Sequence, residues 1–116
     1  FILDKIFTGY LFYDFSECNE LSSLDIDADI EISYQNGRYD LGKKENTKII
    51  WIEKDFEETK KEDCDVALST PNTISAITPE ENKGTICILT RENKIIKLGK
   101  ISETEEKISL SWKFLE

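Results

Sequence analysis

Nine consecutive residues, from Ile26 to Tyr34, alternate strictly between apolar and polar side chains. This period of two is typical of a β-strand that packs one face on a core and turns the other to water. The dipeptide Asn36-Gly37 follows, and the alternation resumes at Tyr39. Because Asn-Gly favours the type I′ turn of tight hairpins, the pattern predicts two paired strands in which Tyr34 lies opposite Tyr39.

Short apolar or alternating segments recur along the chain, with turn-forming residues between them. Those predicted as further strands are residues 6–15, 48–53, 66–69, 73–78, 85–90, 95–101 and 107–114. Residues 48–53 are apolar on both faces, which favours a central strand. Many short strands at regular spacing are typical of all-β domains. We therefore predict an all-β fold, an antiparallel β-sandwich or a partly open barrel of about 7–9 short strands.

Residues 55–65 are the one segment with a helical pattern. Asp55 can cap a helix, and Glu57 precedes Lys61 by four residues, but Phe56 is the only clear apolar anchor. We expect at most one short helix, near residues 55–63, with an exposed loop as the open alternative.

A length of 116 residues is that of one average domain, so we expect a single all-β domain over residues 1–116. The chain begins with Phe1 and contains no methionine, which indicates a piece of a longer chain. Leu115-Glu116 resembles the scar that a cloning site leaves before an affinity tag. No apolar run approaches the ~20 residues that a membrane-spanning helix needs, so we expect no membrane insertion.

The chain has no histidine. This excludes nucleophilic mechanisms that rest on a Ser-His or Cys-His pair, and zinc sites built partly from imidazole. Its five glycines are scattered and match neither of the common nucleotide-binding fingerprints. The sequence therefore predicts a protein that is not an enzyme and holds no cofactor.

Three cysteines, Cys18, Cys64 and Cys87, cannot all pair within one chain. Cys87 lies in an apolar run, where we expect a small buried hydrophobic residue. A Cys18–Cys64 disulfide is an open alternative. Since no Cys-x-x-Cys spacing is present, we expect reduced thiols and a cytoplasmic setting.

Alternate carboxylates at Asp25, Asp27 and Asp29 resemble the opening of a calcium loop. However, Ile30 stands where an EF-hand requires glycine, and a strand directs the carboxylates along a line rather than around an ion. We expect a solvated strand face here, with these three aspartates as the candidates if a divalent metal binds.

Aromatic side chains offer a second kind of site. Tyr34 and Tyr39, with Trp51 nearby, can stack on a sugar ring or on a peptide proline. The alternation of the last strand favours a core position for Trp112. The candidate ligand-binding residues are therefore Tyr34, Tyr39 and Trp51.

The net charge of −9 is unevenly distributed. Residues 1–31 carry eight acidic residues and one lysine, whereas residues 83–100 carry five basic residues and one glutamate. An overall negative charge disfavours nucleic acid as a partner and favours docking on a basic one. We therefore expect a non-catalytic module that recognises a protein partner through an acidic surface. A carbohydrate or small-ligand domain and a small hydrolase with paired carboxylates are the alternatives.

Overall fold

A computed structural model of the chain describes residues 2–6, 10–14, 19–21, 29–35, 38–44, 46–70, 76–77, 84–103 and 107–115. Ten strands and one helix lie in these residues. In chain order they are β1 (Ile2–Ile6), β2 (Tyr10–Asp14), β3 (Asn19–Leu21), β4 (Ile30–Gln35), β5 (Arg38–Lys43), β6 (Lys48–Ile52), α1 (Lys61–Leu68), β7 (Ala76–Ile77), β8 (Thr85–Leu89), β9 (Ile95–Glu103) and β10 (Lys107–Leu115). The mostly β composition with one short helix is confirmed.

The strands form two antiparallel sheets of five, in the orders β1-β10-β9-β8-β6 and β3-β2-β4-β5-β7. Ten strands are more than the predicted number of about 7–9, because β1 and β3 show no alternation in the sequence. The predicted strand over residues 6–15 is two elements, since β1 ends at Ile6 and β2 begins at Tyr10.

The predicted hairpin is confirmed in its pairing. β4 and β5 are antiparallel, Tyr34 is opposite Tyr39, and Gln35 is opposite Arg38. Residues 36–37 and 25–28 lie outside the described residues, so the turn itself and the first part of the alternating segment are not described. The described strand begins at Ile30.

The two sheets share one apolar core. Its buried members are Ile30, Ile32, Leu41, Ile49, Ile86, Ile88, Ile96, Leu98, Leu110 and Trp112. The predicted core position of Trp112 is confirmed, because only 1% of its surface is exposed and its ring meets Phe114 edge to face at 5.4 Å. Alternation places Ile86 and Ile88 of β8, and Leu110 and Trp112 of β10, in this core.

The opposite face of the first sheet carries a second, smaller apolar cluster. Cys64 and Leu68 of α1 pack there against Cys87 and Ile95 of β8 and β9. Because both faces of the sheet are covered, β6 is apolar on both sides although it is the last strand of its sheet in the described part of the chain. The prediction of a central strand at residues 48–53 is therefore wrong.

A disulfide bond joins Cys64 of α1 to Cys87 of β8, and both cysteines are fully buried. The expectation of reduced thiols is wrong for this pair, and so is a Cys18–Cys64 bond. The burial expected for Cys87 is confirmed. The two sulfurs meet because α1 lies across β8, a contact between residues 23 positions apart that no local pattern indicates. Cys18 lies outside the described residues.

The helix lies later in the chain than expected. It covers Lys61–Leu68, so a start at Asp55 and a strand at residues 66–69 are both wrong. The carboxylate of Asp63 accepts a hydrogen bond from the Lys60 backbone N–H at 2.8 Å, which fixes the first turn. Cys64 and Leu68 are four residues apart and share the buried face.

Leu115 also belongs to the fold. It ends β10, where it is opposite Ile95 of β9, and it packs against the second cluster. Whatever the origin of Leu115-Glu116, the first of these residues covers apolar surface. Glu116 lies outside the described residues.

Candidate anion-binding groove

Two chain reversals lie side by side at one end of the sheets. The first joins β5 to β6, where the backbone N–H and the hydroxyl of Thr47 donate to the Lys44 carbonyl at 3.2 and 2.6 Å. The second joins β8 to β9, where the Thr90 N–H donates to the Lys94 carbonyl at 2.9 Å. Each reversal contains an asparagine in the left-handed region, Asn46 at φ 66° and Asn93 at φ 63°. Asparagine tolerates this conformation better than most residues, so both reversals are tight.

Asp29 connects the two reversals. Its carboxylate accepts the Arg91 backbone N–H at 3.3 Å, and its carbonyl accepts the Lys44 N–H at 3.3 Å. No part of its surface is exposed. The expected solvated position is therefore wrong for Asp29. Asp29 lies just before β4, where its backbone contacts one reversal and its side chain contacts the other. Asp25 and Asp27 lie outside the described residues.

A groove of about 560 Å³ lies between the reversals. Lys43, Thr47, Lys48, Leu89 and Arg91 line it, together with the two asparagines. Three of these side chains are cationic, and the described lining contains no carboxylate side chain. Lys43 and Lys48 are exposed, and Arg91 is half-buried. The described lining of the groove is therefore cationic, in a chain whose net charge is −9, and Glu45 of the first reversal lies outside the described residues.

The sequence indicated one of the three cationic residues of this groove. Arg91 belongs to the basic stretch 83–100, but Lys97 of the same stretch is buried and contributes no surface charge. Lys43 and Lys48 were missed because they lie more than forty positions before Arg91. The signal for them was the cluster of lysines at residues 43–48, which ends one strand and begins the next.

Lys97 holds the loop before α1 against the first sheet. Its ammonium donates to the carbonyls of Phe56 at 2.5 Å and Thr59 at 3.2 Å, and lies 4.4 Å from the centre of the Phe56 ring. Only 6% of its surface is exposed. Burial lowers the pKa of this ammonium below the ordinary lysine value of 10.5, against an opposing effect of Glu57. Its donors are used inside the fold, so its role is structural.

This lowered pKa predicts how stability changes with pH. The folded state loses the Lys97 proton at a lower pH than the unfolded state does, so the free energy of unfolding rises as the pH rises through the folded pKa towards 10.5. Chemical denaturation of the wild type and of Lys97→Met between pH 7 and 10.5 measures this effect. We expect the difference between the two proteins to shift in favour of the wild type as the pH rises. A difference that is constant, or that moves towards Lys97→Met, contradicts the assignment.

The aromatic candidates lie in two different sheets. Tyr34 and Tyr39 are paired in the second sheet, and their side chains lie outside what the structure describes. Trp51 lies in β6 of the first sheet, half-buried and packed against the shared core. Gly84 approaches Trp51 so closely that a Cβ there would lie 2.5 Å from the indole Nε1. The described lining of the groove includes none of the three aromatic residues, and the ligand hypothesis for them stays a prediction.

The carboxylate of Asp63 is held in its charged form. Hydrogen bonds from the Lys60 backbone, and then from the Lys54 ammonium at 3.0 Å, lower the pKa of Asp63. A general acid needs a raised pKa, so Asp63 is a helix-capping residue rather than a proton donor. Among the described residues, no group of three or more histidine, cysteine, aspartate or glutamate residues lies close enough together to hold a metal ion.

Comparisons with known proteins give no relative. No protein-family model, curated protein or solved structure matches the chain. Among the described residues, no helix is long and apolar enough to cross a membrane.

Proposed function

We propose that this chain is a non-catalytic binding domain that recognises a protein partner, and that the groove between the two reversals receives an acidic segment of that partner. The observation that carries the proposal is the groove's lining of Lys43, Lys48 and Arg91 in a chain of net charge −9. This differs from docking through the acidic surface itself, because the proposed contact is a concave cationic site with acidic surroundings.

The volume of the groove supports a short segment as the ligand. Its volume of about 560 Å³ falls within the range of ligand pockets in proteins, roughly 300–1,000 Å³. The fully buried Asp29 accepts hydrogen bonds from both reversals that form the walls of the groove. The walls are therefore held in place before a ligand binds. A pre-formed site loses less entropy on binding than one that must be ordered.

The charges outside the groove support a short acidic segment over an extended polyanion. Residues 53–65 carry seven acidic residues and three lysines, and most of the acidic side chains there are exposed. A nucleic acid carries one charge per ~1.7 Å of duplex and would meet this negative surface beyond the groove. A segment with a few carboxylates can place them on Lys43 and Lys48 with less repulsion.

Two further proposals concern the setting of the site. Because buried residues of both sheets form one core, we propose that the sheets pack face to face as a β-sandwich. Because Cys64 and Cys87 are joined, we propose that the protein folds and acts in an oxidising compartment, where disulfides persist.

Fluorescence anisotropy with a labelled octapeptide tests the binding proposal. The probe carries four glutamates flanked by serine and glycine, and the matched control has serine in place of each glutamate. We expect the glutamate peptide to bind at least about tenfold more tightly at 50 mM NaCl, and to lose most of that advantage at 500 mM, since salt screens exposed charges. Equal binding of the two peptides contradicts the proposal. Tighter binding of a single-stranded oligo-dT also contradicts it and identifies a nucleic-acid site instead.

A further inference from the structure

A second groove adjoins the cationic one on the other side of the β8–β9 reversal. Its volume is about 820 Å³, and Leu89 and Asn93 line both grooves. Ile95, Phe114 and Leu115 contribute further apolar surface to it. The two grooves therefore form adjacent compartments of different chemistry.

The described rim of the second groove is balanced in charge. Lys61 and Asp65 of α1 stand on it, and so do Glu92 and Lys94 of the β8–β9 reversal. Two cations and two carboxylates give no net attraction for an acidic group, in contrast to the first groove. The lining instead favours binding of an apolar side chain, which is removed from water when it packs on Ile95, Phe114 and Leu115.

We infer that the partner's acidic segment also carries an apolar side chain close in sequence to its carboxylates, and that this side chain enters the second groove. The inference rests on the proposed function and adds the chemistry of the recognised motif. Leu89 and Asn93 are shared by both grooves, so one short extended segment can place a carboxylate beside Lys43 and Lys48 and an apolar side chain beside Leu115. A segment that has carboxylates but no apolar side chain satisfies only the first groove.

The test compares three octapeptides in the anisotropy assay. One carries four glutamates flanked by serine and glycine, and the other two replace the serine on one or the other side of the glutamates with leucine. We expect at least one leucine peptide to bind the wild type about tenfold more tightly than the serine version. In the variant Leu115→Ser this gain falls to less than threefold. In the control Val66→Ser, whose side chain is 71% exposed on α1, the gain is kept.

Each outcome separates the inference from the proposed function. If all three glutamate peptides bind equally, the inference is wrong and the acidic recognition stands. If none binds, both are wrong. Amide NMR shifts provide a second measurement that does not depend on the folding of Leu115→Ser. The leucine peptide is expected to shift Ile95 and Phe114 of the wild type, the serine peptide is not, and identical shifts overturn the inference.

Discussion

A chain in which Cys64 and Cys87 are both replaced by alanine is expected to unfold with a free energy about 3 kcal/mol lower than that of the wild type. The disulfide closes a loop over a sequence separation of 23, and the chain-entropy relation gives about 3 kcal/mol for a loop of that length. For a domain of this size the loss corresponds to a melting temperature about 10–15 °C lower. Alanine adds no polar group to the apolar cluster that the two cysteines form with Leu68 and Ile95. The measured loss of unfolding free energy therefore comes mainly from the missing disulfide.

Differential scanning calorimetry of the oxidised wild type, the phosphine-reduced wild type and the double variant measures this effect. We expect the reduced wild type to melt close to the double variant and well below the oxidised protein. Alkylation of the unreduced chain in denaturant, followed by intact mass, is the chemical control. At most one alkyl group per chain is expected, because two of the three cysteines are paired. Three alkyl groups, or equal melting temperatures, contradict the bond.

The double variant Lys43→Glu/Lys48→Glu is expected to bind the glutamate octapeptide about 100-fold more weakly than the wild type. Each lysine-to-glutamate substitution removes an attractive charge and adds a repulsive one. A loss of about 1.4 kcal/mol of binding free energy for each lysine is a tenfold loss of affinity. Both side chains are exposed, so the loss comes from binding rather than from unfolding.

The matched control for this variant is Lys60→Glu/Lys113→Glu. It changes the net charge by the same amount at two exposed lysines that do not line the groove. If affinity depends on the groove, the control loses less than about threefold. Equal losses in the two variants show that only the total charge matters, which contradicts a localised site.

The hairpin was predictable because its signals are local. The alternation up to Tyr34, the Asn36-Gly37 dipeptide and the return at Tyr39 lie within a few residues of one another, and together they determine the register. Cys64 shows the opposite case. It stands in an acidic stretch that gives no sign of burial, and only the packing of α1 on β8 explains why it is inside.

The site depends on contacts across long stretches of chain. Asp29 bonds to Arg91, 62 positions away, and its carbonyl accepts the N–H of Lys44 from the other reversal. An alternating pattern cannot distinguish a buried aspartate from an exposed one when its partner is a distant backbone N–H. For the same reason the basic stretch 83–100 indicated a charged surface but did not show that Lys43 and Lys48 complete it.

The measurement that tests the central claim most directly is a ¹⁵N–¹H NMR titration of the wild type with the glutamate octapeptide. If the groove receives acidic segments, the largest amide shifts occur at Lys43, Lys48 and Arg91, saturate with peptide, and are absent with the serine control. An unchanged spectrum contradicts the claim, and so do shifts confined to α1.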